Sequence, residues 1–128
     1  MMPIDDPKVV LELLTAFEAY ERALTQNDIE AVNGLFWNDP RTVRFGTREA
    51  ERQYGHATIA EFRLRRGAVN QNRKLQHQRI TTFGTDFGVT TTEFQTAASD
   101  KIGRQTQIWI RTQQGWKIAS AHVSFGMA

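Results

Sequence analysis

Apolar residues recur at helical spacing up to about Leu75, and beyond it they alternate with polar ones in the manner of strands. Asp6-Pro7 opens the first helix, the aspartate as cap and the proline at the first helical position. Val10, Leu13, Leu14, Phe17, Tyr20 and Leu24 follow as one apolar stripe. Asn27, with Glu30 in the matching capping-box position, starts a second, shorter helix whose buried side is Ile29, Val32, Leu35 and Phe36. Asn38-Asp39-Pro40 ends it. Residues 42–46 form the first strand; polar residues follow. Gly55 then precedes a third helix through Ile59 and Phe62, with Gly67 as its stop. Residues 67–74 read as a loop.

Strands are expected at 75–83, 87–97, 104–112 and 116–125. Gly84-Thr85-Asp86, residues 98–103 and Gln113-Gln114-Gly115 supply the turns of an antiparallel meander. In the third of these strands Gln105, Gln107, Trp109 and Arg111 alternate with Thr106, Ile108 and Ile110. Helices gathered early and strands late argue for an α+β fold, three helices packed against a curved antiparallel sheet. With no repeat, low-complexity segment or linker, residues 1–128 are expected to form one domain.

Composition narrows the classes. At 128 residues, with 40% hydrophobic and 23% charged, the chain can bury one core without staples. It has no cysteine, which excludes disulfides and thiolate chemistry and fits a reducing cytoplasm. The acidic Asp5 and Asp6 and the lack of a long apolar run argue against a signal peptide, and no stretch reaches membrane-spanning length. Net charge is only +2, but most of the basic residues are arginines, the side chain suited to bidentate carboxylate or phosphate recognition. The cluster Arg63, Arg65, Arg66, Arg73, Lys74 and Arg79 lacks aromatic interleaving or a reader motif, so it reads as a solvated helix face and loop rather than a nucleic-acid surface.

Two residues stand out chemically. Arg44 is a charge inside an otherwise apolar strand, and Val43 and Phe45 must point away from it. It lies either on the wet side or on the concave face of a curled sheet, where it would need a carboxylate or an anionic ligand. Glu93, mid-strand among threonines, is one candidate partner. Tyr20 is either a core tyrosine with a bonded hydroxyl or a proton donor at the floor of a cavity. His56, His77 and His122 are too scattered for a zinc signature. His122 shares strand parity with Trp116, Ile118 and Ser120, which places it towards the interior as a core histidine or a cavity residue. Trp37, Trp109 and Trp116 suit core or interface positions, with Trp37 and Trp109 as further candidates for a substrate pocket. There is no Gly-rich phosphate loop, HExxH or G-x-S-x-G.

Several runs resemble one family. They are residues 20–24 (Tyr-Glu-Arg-Ala-Leu), 35–46 (Leu-Phe-Trp-Asn-Asp-Pro-Arg-Thr-Val-Arg-Phe-Gly) and 80–84 (Ile-Thr-Thr-Phe-Gly). Gly103-Arg104-Gln105 with Trp109, and Gly115-Trp116-Lys117-Ile118 leading to Ala121-His122-Val123-Ser124, complete the set. The element order resembles the NTF2-like, or SnoaL-like, cone; the runs resemble the AtzH-like proteins that accompany amidase genes in bacterial nitrogen catabolism. The resemblance implies a pocket between sheet and helices and a homodimer formed across the sheet, with an amidase as a possible partner. It implies a decarboxylase that needs no metal or organic cofactor and takes a small anionic carboxylate. In triazine-degrading members the reaction is 1,3-dicarboxyurea to allophanate. The family's catalytic tyrosine on the first helix and arginine on the first strand align with Tyr20 and Arg44. A non-catalytic anion-binding module or an amidase subunit is the alternative, since the cone hosts all of these.

Overall fold

The structure, a computed structural model, describes residues 2–67, 72–97 and 99–126. Helix α1 (Pro7–Thr25) is capped by Asp6, whose side chain accepts from the Lys8 N–H at 3.0 Å. Val9, Leu13, Phe17, Tyr20, Ala23 and Leu24 are its buried positions, so the expected stripe holds at Leu13, Phe17, Tyr20 and Leu24, while Val9 is buried in place of Val10 and Leu14 is half-buried. Helix α2 (Ile29–Leu35) is capped by Asp28, which accepts from the Ala31 N–H at 3.1 Å, and not by Asn27. Asn27 instead takes φ +56°, a left-handed link that asparagine tolerates better than most residues. Helix α3 (His56–Arg66) follows Gly55, whose φ of +92° suits glycine alone.

The six strands are β1 (Val43–Phe45), β2 (Arg52–Tyr54), β3 (Arg73–Phe83), β4 (Phe87–Thr96), β5 (Gly103–Thr112) and β6 (Gly115–Phe125). They form one sheet in the order β2-β1-β6-β5-β4-β3. The expected meander β3 to β6 is antiparallel throughout, but β1 runs parallel to β6, so the sheet is mixed. The chain enters β1 from α2 and lays it against β6, at the edge of the meander. Strand β2 was invisible in the pattern because Arg52-Gln53-Tyr54 carries no apolar alternation; it pairs with β1 as a short hairpin. Residues 73 and 74, expected in a loop, open β3, while residues 68–71 lie outside the described part.

Two irregularities curl the sheet. Gln76 and Arg79 bracket a bulge in β3 at which His77 takes φ +53°. A second bulge falls where Ser120 pairs with Ile108 but Ile118 pairs with Trp109, leaving Ala119 as the extra residue of β6. The helices lie on the concave side, and Leu13, Phe17, Val32, Phe36, Ile59, Trp109 and Ile118 form the centre of the core. Beyond them the concave face becomes polar: Thr82, Thr90, Thr92, Gln105 and Gln107 are all buried. No described helix is long and apolar enough to cross a membrane.

Candidate active site

The helices cover only part of the concave face, and an open-mouthed cavity of about 910 Å³ occupies the rest. Tyr20 and Arg44 both line it. Arg44 reaches it because β1 alternates: Val43 and Phe45 turn outward, where Phe45 packs edge-on against Tyr54 and His122, and Arg44 turns inward with 8% of its surface exposed. Tyr20 reaches it from the last third of α1, 4% exposed and edge-on to Phe36 with ring centroids 6.3 Å apart.

Arg44 has partners that were not anticipated. Its Nη1 donates to Gln53 Oε1 at 3.0 Å and lies 3.4 Å from Glu51 Oε1. Gln53 is its register partner across the β1–β2 hairpin, so the overlooked strand supplies the arginine's support. Glu93 plays no part: it accepts from Gln76 on the neighbouring strand. Nε and Nη2 of Arg44 make no hydrogen bond among the described residues, so one edge of the guanidinium is left for a ligand.

The remaining lining is more cationic than expected. Arg48, Arg63, Arg65, Arg66 and Arg73 join Arg44, while Glu51 is the single acidic residue of the lining among the described residues. The basic cluster is thus not merely a solvated face, since Arg63 is 3% exposed. Burial pulls the Arg63 guanidinium below the usual arginine range; the nearby Tyr20 opposes this, and Arg44 and Arg66 reinforce it. Arg66 is drawn the same way by burial and by Arg44. Both remain cations at neutral pH. Arg73 lies over the Phe94 ring at 4.0 Å, 3.1 Å from Glu21 Oε1, and donates to Gln105 Oε1 at 3.2 Å. Burial lifts the Glu21 carboxyl above the ordinary range, although Arg73 and Gln105 pull against it. Phe94 in turn lies flat on Gly103, where a Cβ would come within 2.2 Å of the ring.

Three expected pocket residues lie elsewhere. Trp109 is fully buried in the core, its indole N–H donating to Thr90 Oγ1 at 3.0 Å. Trp37 sits between α2 and β1 beneath the Arg41 guanidinium, which is 4.8 Å from its ring. His122 is exposed on the outer face, where it borders a shallow depression with Arg104 and Ser120. The bulge at Ala119 explains His122: it reverses strand parity, so Trp116 and Ile118 face inward before it, and Ala121, Val123 and Phe125 do so after it. Arg104 also lies outside the cavity and donates to Ser124 Oγ. Among the described residues no group of His, Asp and Glu is placed to hold a metal ion.

Arg63 was the residue that sequence reasoning undervalued, and a signal existed. It stands four positions after Ile59 on the inner face of α3, so the helix that buries the isoleucine also turns the arginine inward.

A curved sheet with helices over part of its concave face and a polar cavity under the rest defines an NTF2-like, or cystatin-like, protein. The AtzH-like family model matches residues 2–127, and the chain belongs to that family. A cystatin-like fold protein from Burkholderia xenovorans is 46% identical, with all of both chains covered and a TM-score of 0.92. A protein of unknown function from the DUF3225 family of Pectobacterium atrosepticum is 42% identical over 97% of this chain and 95% of its own, also at 0.92. An NTF2-like protein of unknown function from Pseudomonas putida shares the fold at 14% identity and a TM-score of 0.79, with 96% of this chain and 90% of its own covered. Among curated proteins, none matches the chain.

Proposed function

We propose that this protein is a carboxy-lyase that removes carbon dioxide from a small N-carboxylated, urea-type compound, with 1,3-dicarboxyurea to allophanate as the reaction to test. The observation that carries the reading is that Tyr20 and Arg44 line one cavity. The free edge of Arg44 would grip a carboxylate bidentately. The C–N bond to the departing carboxylate breaks, its electron pair passes to nitrogen, and Tyr20 delivers the proton that nitrogen takes up. Carbon dioxide leaves neutral, and solvent returns the proton to the phenol. The guanidiniums around Tyr20 are placed to stabilise the transient phenolate, a charge that develops only during reaction. The pairing of two copies across the sheet and the association with an amidase belong to the same proposal.

The test is carbon dioxide release from freshly generated dicarboxyurea, measured against the uncatalysed rate. Arg44→Ala is expected to raise KM and lower kcat, with kcat/KM falling roughly 100- to 1,000-fold. Tyr20→Phe should leave KM near its starting value and lower kcat by about 100-fold. Unchanged turnover in both variants would remove the assignment.

A further inference from the structure

Arg63 is the least explained charge in the molecule. It is 3% exposed, it lines the cavity, and its Nε and Nη2 are buried with no hydrogen-bond partner. It belongs to none of the ion pairs among the described residues. The contrast with its neighbours is direct. Arg44 has Glu51 and Gln53, and Arg73 has Glu21 and Gln105. Arg63 has only the Phe36 ring, 5.3 Å from its Cζ, and the Tyr20 hydroxyl beside it.

A buried guanidinium without a carboxylate is costly, and arginine cannot escape by losing its proton. Nor does α3 explain it: the helix's C-terminal carbonyls favour a cation in the last turn, but exposed Arg65 and Arg66 already supply two. Two arginines on different elements, one on β1 and one on α3, therefore line the same cavity as Tyr20 with nitrogens unengaged. A carboxylate gripped bidentately by Arg44, as proposed above, leaves Arg63 for a second acidic group.

We propose that Arg63 is a second anion anchor in the same cavity as Arg44 and Tyr20, and that the ligand of this cavity is a small dianion with an acidic group for each arginine. This deepens the carboxy-lyase reading and rests on it for the orientation of the substrate: Arg44 holds one carboxylate and Arg63 the other, with the Tyr20 hydroxyl in the same cavity. Selectivity then comes from charge count. A monoanion leaves one buried guanidinium unpaired and is rejected for that reason.

The experiment compares malonate with acetate by calorimetric titration at fixed ionic strength, together with thermal unfolding in the absence of either. Wild type is expected to bind malonate at least about 10-fold more tightly than acetate, the scale of one added charge-assisted anchor. In Arg63→Met that ratio should collapse to within about 3-fold while acetate affinity holds, and the ligand-free midpoint should stay level or rise, because an unpaired buried charge is gone. A structural arginine would do the reverse: the midpoint falls and the ratio survives. That result overturns the proposal, as does a wild type without preference for malonate. If Arg63→Met does not fold, the Arg63 Nε–H resonance of wild type decides, assigned by its loss in Arg63→Lys. A shift that saturates with malonate but not with acetate supports the anchor, and an unmoved signal overturns it. Absence of carbon dioxide release with an intact, Arg63-dependent malonate preference would count against the lyase reading and leave the anchor standing.

Discussion

The concave face of the sheet has two ends built on opposite rules. At one end α1 lies close, and Leu13, Phe17, Trp109 and Ile118 are packed away from water. The polar atoms there answer one another: the Trp109 indole donates to Thr90, whose hydroxyl bonds Gln107 at 3.2 Å. At the other end the covering helices draw back, and arginines replace the apolar side chains. There Arg63 and one edge of Arg44 are left unanswered. Buried polar groups are ordinarily satisfied, and around Trp109 the sealed end follows that rule, although the Thr82 hydroxyl and the Trp116 indole N–H do not. The open end departs from it where Tyr20 stands. The difference teaches where the unanswered charge lies: Asn33, Gln53, Thr82 and Trp116 also bury a polar atom without a partner, but each is neutral, whereas the Arg63 guanidinium in the cavity carries a charge and invites an anion.

The largest effect should come from breaking the sealed end. Trp109→Ala removes the biggest fully buried side chain and leaves Thr90 without its donor, and a loss of roughly 3–5 kcal/mol is expected in denaturant unfolding. A loss below about 1 kcal/mol would mean that this end is not the structural anchor described above.

The open end should respond in binding and not in stability. Glu51 partly neutralises Arg44 and competes with any ligand for it. Glu51→Gln is expected to tighten malonate binding several-fold, the scale of removing one like-charged competitor near a cavity mouth. Weaker binding would show that Glu51 orients Arg44 more than it competes, and titration of the variant beside wild type reads this directly.

The smallest effect is a slope in pH. Glu21 is held above the ordinary carboxylate range by burial, so over the interval between its unfolded and folded pKa the native state binds more protons than the unfolded chain. Wild type should therefore lose stability relative to Glu21→Gln as pH rises through that interval, with the contribution greatest on its acid side. Unfolding midpoints of the two proteins across the acidic range check the sign. A difference growing the other way would mean that Arg73 outweighs burial.

Much of this was legible in the chain. The Asp6 cap, the helical stripe of α1 and the strand alternation of the meander depend on local spacing, and local spacing is what a sequence displays. Tyr20 and Arg44 stood out for the same reason, one on a known stripe and the other breaking one. What failed is equally specific. His122 was placed inward because parity was counted through Ala119, and a bulge is a single residue that leaves no periodic trace. Trp109 was offered as a pocket residue because an indole suits a core or a ligand equally well until Thr90 is seen opposite it. Glu93 was offered to Arg44, whereas the partners come from β2, a polar strand that is a strand only because β1 pairs with it.

By itself, then, the sequence determined the elements other than β2, the α+β layering and the two residues that invite a chemical reading, because each follows from spacing and side-chain type. Only the tertiary structure decided which face of β1 is concave, that β1 runs parallel to β6, and that Arg63 is buried beside Tyr20 without a counter-charge. Those depend on how distant segments meet, and the field at a buried arginine is a sum over neighbours drawn from the whole chain.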